Sequence, residues 1–189
     1  MIEVEKKFKV DSPEQYDRIY QALLGKGFTT KYHRNIESYY HNTASGVLRL
    51  CYCLEDISGN SPQVILLNTK EGRGEARYES EIEIPEPMAK VLREVAFSNP
   101  LTTIKAVKNR LCMESTRFEI EVCLDEVLEP ENGIGPWFCE IEKLVESPGE
   151  VPTALRHLKN WCRNLGLVNE ETRSYYEMLQ EYVFKCSTY

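Results

Sequence analysis

The sequence predicts an α+β fold, about eight antiparallel strands with helices at the edges of the sheet or outside it. Three observations lead there. Extended stretches near 2–10, 28–41, 46–55, 63–71, 77–84, 103–113, 116–125 and 137–146 alternate in side-chain character, the period-two signature of strands. Clusters of turn formers, Asn42 to Gly46, Ile57 to Pro62 and Pro130 to Pro136, suit hairpin connections between them. Helical patterning is confined to a few segments, so helices decorate the sheet rather than build the domain.

Each helix carries its own signal. Ser12-Pro13-Glu14 offers an N-cap hydroxyl and a proline at the first helical position, and Gly25 or Gly27 ends the helix. A second helix begins near Pro87. A third runs from Pro152 to Leu165, with Val151, Leu155, Leu158, Cys162 and Leu165 on one apolar stripe, and Gly166 closes it. A last helix falls near Ser174–Phe184. With no internal repeat or long linker, residues 1–189 read as a single domain.

The strands have an unusual second face. In the first, Glu3, Glu5 and Lys7 point one way and Ile2, Val4 and Phe8 the other, with Lys6 the exception. The pattern returns as Arg77, Glu79, Glu81 and Glu83, and again as Arg117, Glu119, Glu121 and Asp125. Arg49, Lys70, Lys108, Arg110, Glu140 and Glu142 continue it in the other strands. Periodicity leaves two arrangements open. One is an open sheet with a solvated charged face. The other is a closed sheet whose charged faces line a lumen, costly if dry and sensible if filled by water, metal and an anion.

Composition narrows the classes. The net charge of −7 with no dominant basic face argues against nucleic-acid polymers as partners. No stretch approaches the roughly 18 apolar residues of a membrane span, and a chain charged from its third residue gives no secretory signal. The seven cysteines, at 51, 53, 112, 123, 139, 162 and 186, include no Cys-x-x-Cys pair. Free thiols in a reducing, cytoplasmic compartment are expected. His33, His41 and His157 have no ligand spacing, and Gly72-Arg73-Gly74 is a short turn rather than a phosphate loop. Carboxylates in Glu-x-Glu spacing at 3/5 and 140/142 are hard oxygen ligands suited to Mg²⁺ or Mn²⁺. The interspersed Lys and Arg suit phosphate oxygens.

Glu3-Val-Glu5-Lys-Lys7 resembles the Glu-x-Glu-x-Lys signature of the CYTH, or triphosphate tunnel metalloenzyme, superfamily. Further segments follow in the order of that family. These are Tyr39-Tyr40-His-Asn-Thr43, Leu48-Arg49, Thr69-Lys70-Glu-Gly72, Arg77 to Glu83, Lys108-Asn-Arg110, Asp125, Glu140-Ile-Glu142 and Arg173-Ser-Tyr175. The resemblance spans nearly the whole chain. It implies an eight-stranded antiparallel β-barrel, the triphosphate tunnel, with flanking helices. It also implies Mg²⁺ or Mn²⁺ held by Glu3, Glu5, Asp125, Glu140 and Glu142, with Glu81 assisting. Phosphates would be bound by Lys7, Arg49, Lys70, Lys108, Arg110 and Arg173, of which Lys7, Lys70 and Arg110 are given the catalytic role. Where the family has a second arginine after Leu-Arg-x, this chain has Cys51.

Within the family, Ile2 to Phe8 and Glu150 to Leu155 look closest to thiamine triphosphatases, and the His-Phe element of class IV adenylate cyclases is absent. The resemblance therefore implies hydrolysis of thiamine triphosphate or inorganic tripolyphosphate, by a monomer or homodimer. The alternatives are cyclisation of ATP to cyclic AMP and a non-catalytic polyphosphate-binding module.

Overall fold

The computed structural model describes residues 1–43, 46–56, 63–71, 76–99, 103–130 and 134–187. Among them are eight strands and four α-helices. In chain order they are β1 (Ile2–Val10), α1 (Pro13–Gly25), β2 (Thr29–Thr43), β3 (Gly46–Asp56), β4 (Val64–Glu71), β5 (Ala76–Glu83), α2 (Glu86–Val95), β6 (Thr103–Ser115), β7 (Ile120–Glu129), β8 (Trp137–Val145), α3 (Val151–Asn164) and α4 (Tyr175–Ser187). The predicted turns at Ile57 to Pro62 and Gly72 to Gly74 lie outside the described residues. No helix among those described is long and apolar enough to cross a membrane.

The strands close into an antiparallel barrel in the order β1-β5-β4-β3-β2-β6-β7-β8. The choice left open by periodicity is settled in favour of a lumen. The seam is uneven. β1 pairs with β8 along its whole length, from Ile2↔Val145 to Val10↔Trp137, but with β5 only through Ile2, Glu3 and Val4. Beyond Val4 the segment 169–171 takes over that edge. Lys9 N donates to Asn169 O at 2.9 Å, and Glu171 N donates to Lys7 O at 2.8 Å. Backbone groups that β5 does not reach are thereby paired.

The apolar faces lie outside, under the helices. Ser12 Oγ accepts from Gln15 N and caps α1, which buries Ile19 and Leu23. With Ala154, Leu158 and Trp161 of α3 these cover Val4, Phe8, Val122, Leu124 and Ile141. α2 covers Leu50, Ile65 and Ile84 with Ala89. α4 does something different. Its Tyr175, Tyr176, Met178 and Leu179 pack on Tyr40, Ala106, Val127 and Phe138, so it closes one end of the lumen.

One strand differs from its prediction. β7 begins at Ile120, because 116–119 form the turn that joins it to β6, with Glu119 in the left-handed region at φ 52°. Polar and apolar residues happen to alternate through the turn, so period two overran it. Arg117 and Glu119 therefore leave the strand face. Glu119 is exposed and accepts from Lys143 Nζ at 2.7 Å.

Candidate metal and phosphate site

Residues directly opposite each other in an antiparallel pair point to the same face. This register rule places Glu5 of β1 against Glu142 of β8, and Lys7 against Glu140. Two carboxylates facing each other repel, and a third, Glu3, joins them. The three offer oxygen atoms that all lie within 4.8 Å of one another. Burial first, then the Cys123 thiol and Glu3, push the Glu142 carboxyl well above the usual carboxylate range. All three donors are hard oxygens, a set that fits a divalent cation of the Mg²⁺ or Mn²⁺ type.

Beside this group lies a buried network of alternating charge. Lys7 Nζ stands 3.1 Å from Glu140 and 3.5 Å from Glu5, and donates to the backbone carbonyl of Arg173 at 3.3 Å. Asp125, 0 % exposed, accepts from four donors. They are Lys108 Nζ at 2.8 Å, Arg110 Nε at 2.7 Å, Arg110 Nη2 at 2.6 Å and Tyr175 Oη at 2.7 Å. Arg110 also donates to Glu140. Burial alone would raise the Asp125 carboxyl, but Arg110 and Lys108 outweigh it and hold it below its ordinary range. The Tyr175 ring lies between two ammonium groups, Lys7 Nζ at 4.4 Å and Lys108 Nζ at 4.3 Å from its centroid.

The opposite wall is different. Arg49 Nε donates to Asn68 Oδ1 at 3.0 Å, and Asn68 passes the interaction on to Glu81. Next to them Cys51 contacts Ser38 Oγ at 3.3 Å and packs with Ile36, Cys53, Val64 and Leu66. Among the described side chains, charge therefore concentrates on β1, β6, β7 and β8, while β2, β3 and β4 contribute a partly apolar wall.

A family model, the CYTH domain, matches residues 1–176. The chain belongs to the CYTH family. Among solved structures it resembles the PH1819 protein of Pyrococcus horikoshii OT3 at 26% identity, over 95% of this chain and 98% of that one, with a TM-score of 0.74. It also resembles a Vibrio parahaemolyticus protein named as a candidate adenylate cyclase, at 17% identity over 95% and 98%, TM-score 0.69. A chain of the Schizosaccharomyces pombe Mediator head module is similar at 13% identity over 90% and 98%, TM-score 0.65. The last two likenesses concern the fold alone. No curated protein matches the sequence.

In this CYTH barrel the predicted site residues divide into groups. Glu3, Glu5 and Glu142 converge. Glu140 and Asp125 face the same lumen but are engaged by cations. Glu81 is exposed across the barrel and bonded to Asn68. Lys7 and Lys108, both buried, stand with the largely buried Arg110, and Arg49 lies on the opposite wall. Arg173 stands at the junction of the 169–171 segment and α4. Its guanidinium is held by Glu171 at 2.8 and 2.5 Å and by Glu181 at 2.6 Å. The backbone of Lys70 pairs with Val47 and Glu79. The side chains of Lys70, Arg77 and Glu79 lie outside the described residues. Tyr175, Asn68 and Glu171 also take part, and none of them stands out in the sequence. Tyr175 was legible only as the end of the Arg-Ser-Tyr segment, and nothing in its sequence neighbours signals a partner 50 residues away.

Proposed function

We propose that residues 1–189 act as one CYTH domain that hydrolyses a small triphosphate, thiamine triphosphate or inorganic tripolyphosphate, and releases orthophosphate. The observation that carries this reading is the convergence of Glu3, Glu5 and Glu142 beside the buried Lys7 and Lys108 and the largely buried Arg110. A cation site and a polyanion site thus share one wall. Glu3, Glu5 and Glu142 would hold Mg²⁺ or Mn²⁺, which when bound supplies charge neutralisation and activation of water.

The protein's own groups do the rest. Lys7, Lys108 and Arg110 neutralise the phosphate oxygens, the catalytic share falling to Lys7 and Arg110, with Lys70 assigned alongside them from the family pattern. Arg49 reaches the chain of phosphates from the other wall, and Arg173 approaches from the α4 junction. Asp125 and Glu140 keep the cations charged and aimed while the lumen is free of substrate, and Glu81 supports Arg49 through Asn68. Catalysis of phosphoryl transfer is mostly positioning and electrostatics, and a fixed array of this kind supplies both without reorganisation. Free thiols at all seven cysteines fit a reducing, cytoplasmic setting. The partner is a small molecule, and the protein acts as a monomer or homodimer.

The test is incubation of purified protein with Mg²⁺ or Mn²⁺ and, separately, tripolyphosphate, thiamine triphosphate or ATP, followed by product analysis. Orthophosphate from the first two is expected. Cyclic AMP with pyrophosphate from ATP would replace hydrolysis by cyclisation. Tight binding with no turnover would reduce the domain to a polyphosphate-binding module.

A further inference from the structure

Arg34 in β2 stands directly opposite Arg110 in β6, so both belong to the lumen face. Like charges opposite each other destabilise a sheet unless a counter-charge intervenes. Arg110 has its counter-charges, Asp125 and Glu140. Arg34, which the register also sets opposite Asp56 of β3, is differently placed: among the described residues its Nε is buried without a hydrogen-bond partner, an arrangement that ordinarily costs more than a made hydrogen bond contributes. The guanidinium is nonetheless held in a defined place. Its Cζ lies 5.0 Å from the centroid of the Tyr32 ring, within cation–π range. Tyr32 is itself opposite Cys112 on the lumen face and within electrostatic reach of Arg110 and Glu142.

We infer that Arg34 is a further substrate-binding residue, a guanidinium propped on Tyr32 whose unfilled donor takes a phosphate oxygen of the polyanion held by Arg110. An anion between the two arginines removes their repulsion and supplies the missing acceptor together. The inference rests on the proposed function and adds a contact from the β2 wall, which otherwise brings mainly Ile36, Ser38 and Tyr40 to the lumen. It also makes the anion site span both walls at the level of Arg110.

The experiment is calorimetric titration of the full chain with inorganic tripolyphosphate in Mg²⁺ buffer, for wild type, Arg34→Gln and Arg34→Lys, with urea unfolding of each protein free of the anion. Wild type is expected to bind. Arg34→Gln should weaken binding by about ten- to a hundredfold, the range for losing a charge-assisted hydrogen bond. Arg34→Lys should recover only part of it, and the anion-free urea midpoint of Arg34→Gln should equal or exceed that of wild type. Equal tripolyphosphate affinity in wild type and Arg34→Gln overturns the inference. So does a lowered anion-free midpoint, or failure of Arg34→Gln to fold while Arg34→Lys binds like wild type, since either assigns Arg34 a structural role. A wild type that binds no tripolyphosphate overturns the proposed function first, and this inference with it.

Discussion

The phenol of Tyr175, the first residue of α4, donates a 2.7 Å hydrogen bond to Oδ2 of Asp125, the most enclosed carboxylate of the lumen. This contact joins the helix that closes one end of the barrel to the anion that holds Lys108 and Arg110. Burial first, and then Asp125, push the Tyr175 phenol well above its ordinary range, so it remains a donor at any working pH.

Tyr175→Phe keeps the ring between Lys7 and Lys108 and removes only the donor. Because Asp125 retains three other donors, the loss should be small, about 0.5–1.5 kcal/mol. Asp125→Asn leaves Lys108 and Arg110 buried with one charge too few and should cost about 3–5 kcal/mol. Urea unfolding of both variants checks the ranking, and a Tyr175→Phe loss as large as that of Asp125→Asn would contradict it.

Glu5→Gln removes one of the three converging oxygens while Lys7 keeps Glu140 as its partner. Metal-dependent phosphate release should fall by at least about a hundredfold, a loss typical of removing one electrostatic contributor at such a site, with circular dichroism unchanged. Turnover at the wild-type rate would remove Glu5 from the metal site.

The raised Glu142 carboxyl should make metal binding at the proposed site pH-dependent. A ligand must be deprotonated to bind, so affinity should be lowest while Glu142 is neutral and should rise with pH through its folded pKa. Titration of Mn²⁺ into the protein in buffers of different ionisation enthalpy should show proton release on ion binding that falls away as pH is raised through that folded pKa. Proton release that does not change with pH would mean that Glu142 is not a ligand.

Glu171 is shifted the other way, to about 2, chiefly by its hydrogen bonds from Arg173. A depressed carboxyl stabilises the fold above its unfolded value near 4.5, and that contribution is lost as pH falls toward 2. Glu171→Gln should therefore lower the thermal midpoint at pH 7 and approach wild type below about pH 3. A difference that persists unchanged across the acid range would contradict the assignment. The segment 169–171 should exchange its amide hydrogens faster in the variant.

Much of this site is legible in the residues because a strand reveals its faces without its neighbours. Alternation alone puts Glu3, Glu5 and Lys7 on one side of β1, and Lys108 with Arg110 on one side of β6. It fails where a turn mimics the pattern, as at Arg117 and Glu119. It is also blurred in β2, where Ile36 interrupts the polar face and a bulge between Arg34 and Ile36 shifts the register against β3, so Arg34 does not stand out.

Local periodicity and side-chain type are enough to give most of the strands, the order of the charged segments and the chemistry open to them. It took the tertiary structure to decide which carboxylates converge on one another and which meet an arginine. That choice depends on the pairing of β1 with β8 across more than a hundred residues, where a slip of one position would turn Glu5 from Glu142 toward the wrong face. It also decided that α4 stands across one end of the barrel, bringing Tyr175 to Asp125. No local pattern encodes that contact, because it arises from packing among residues far apart in the chain.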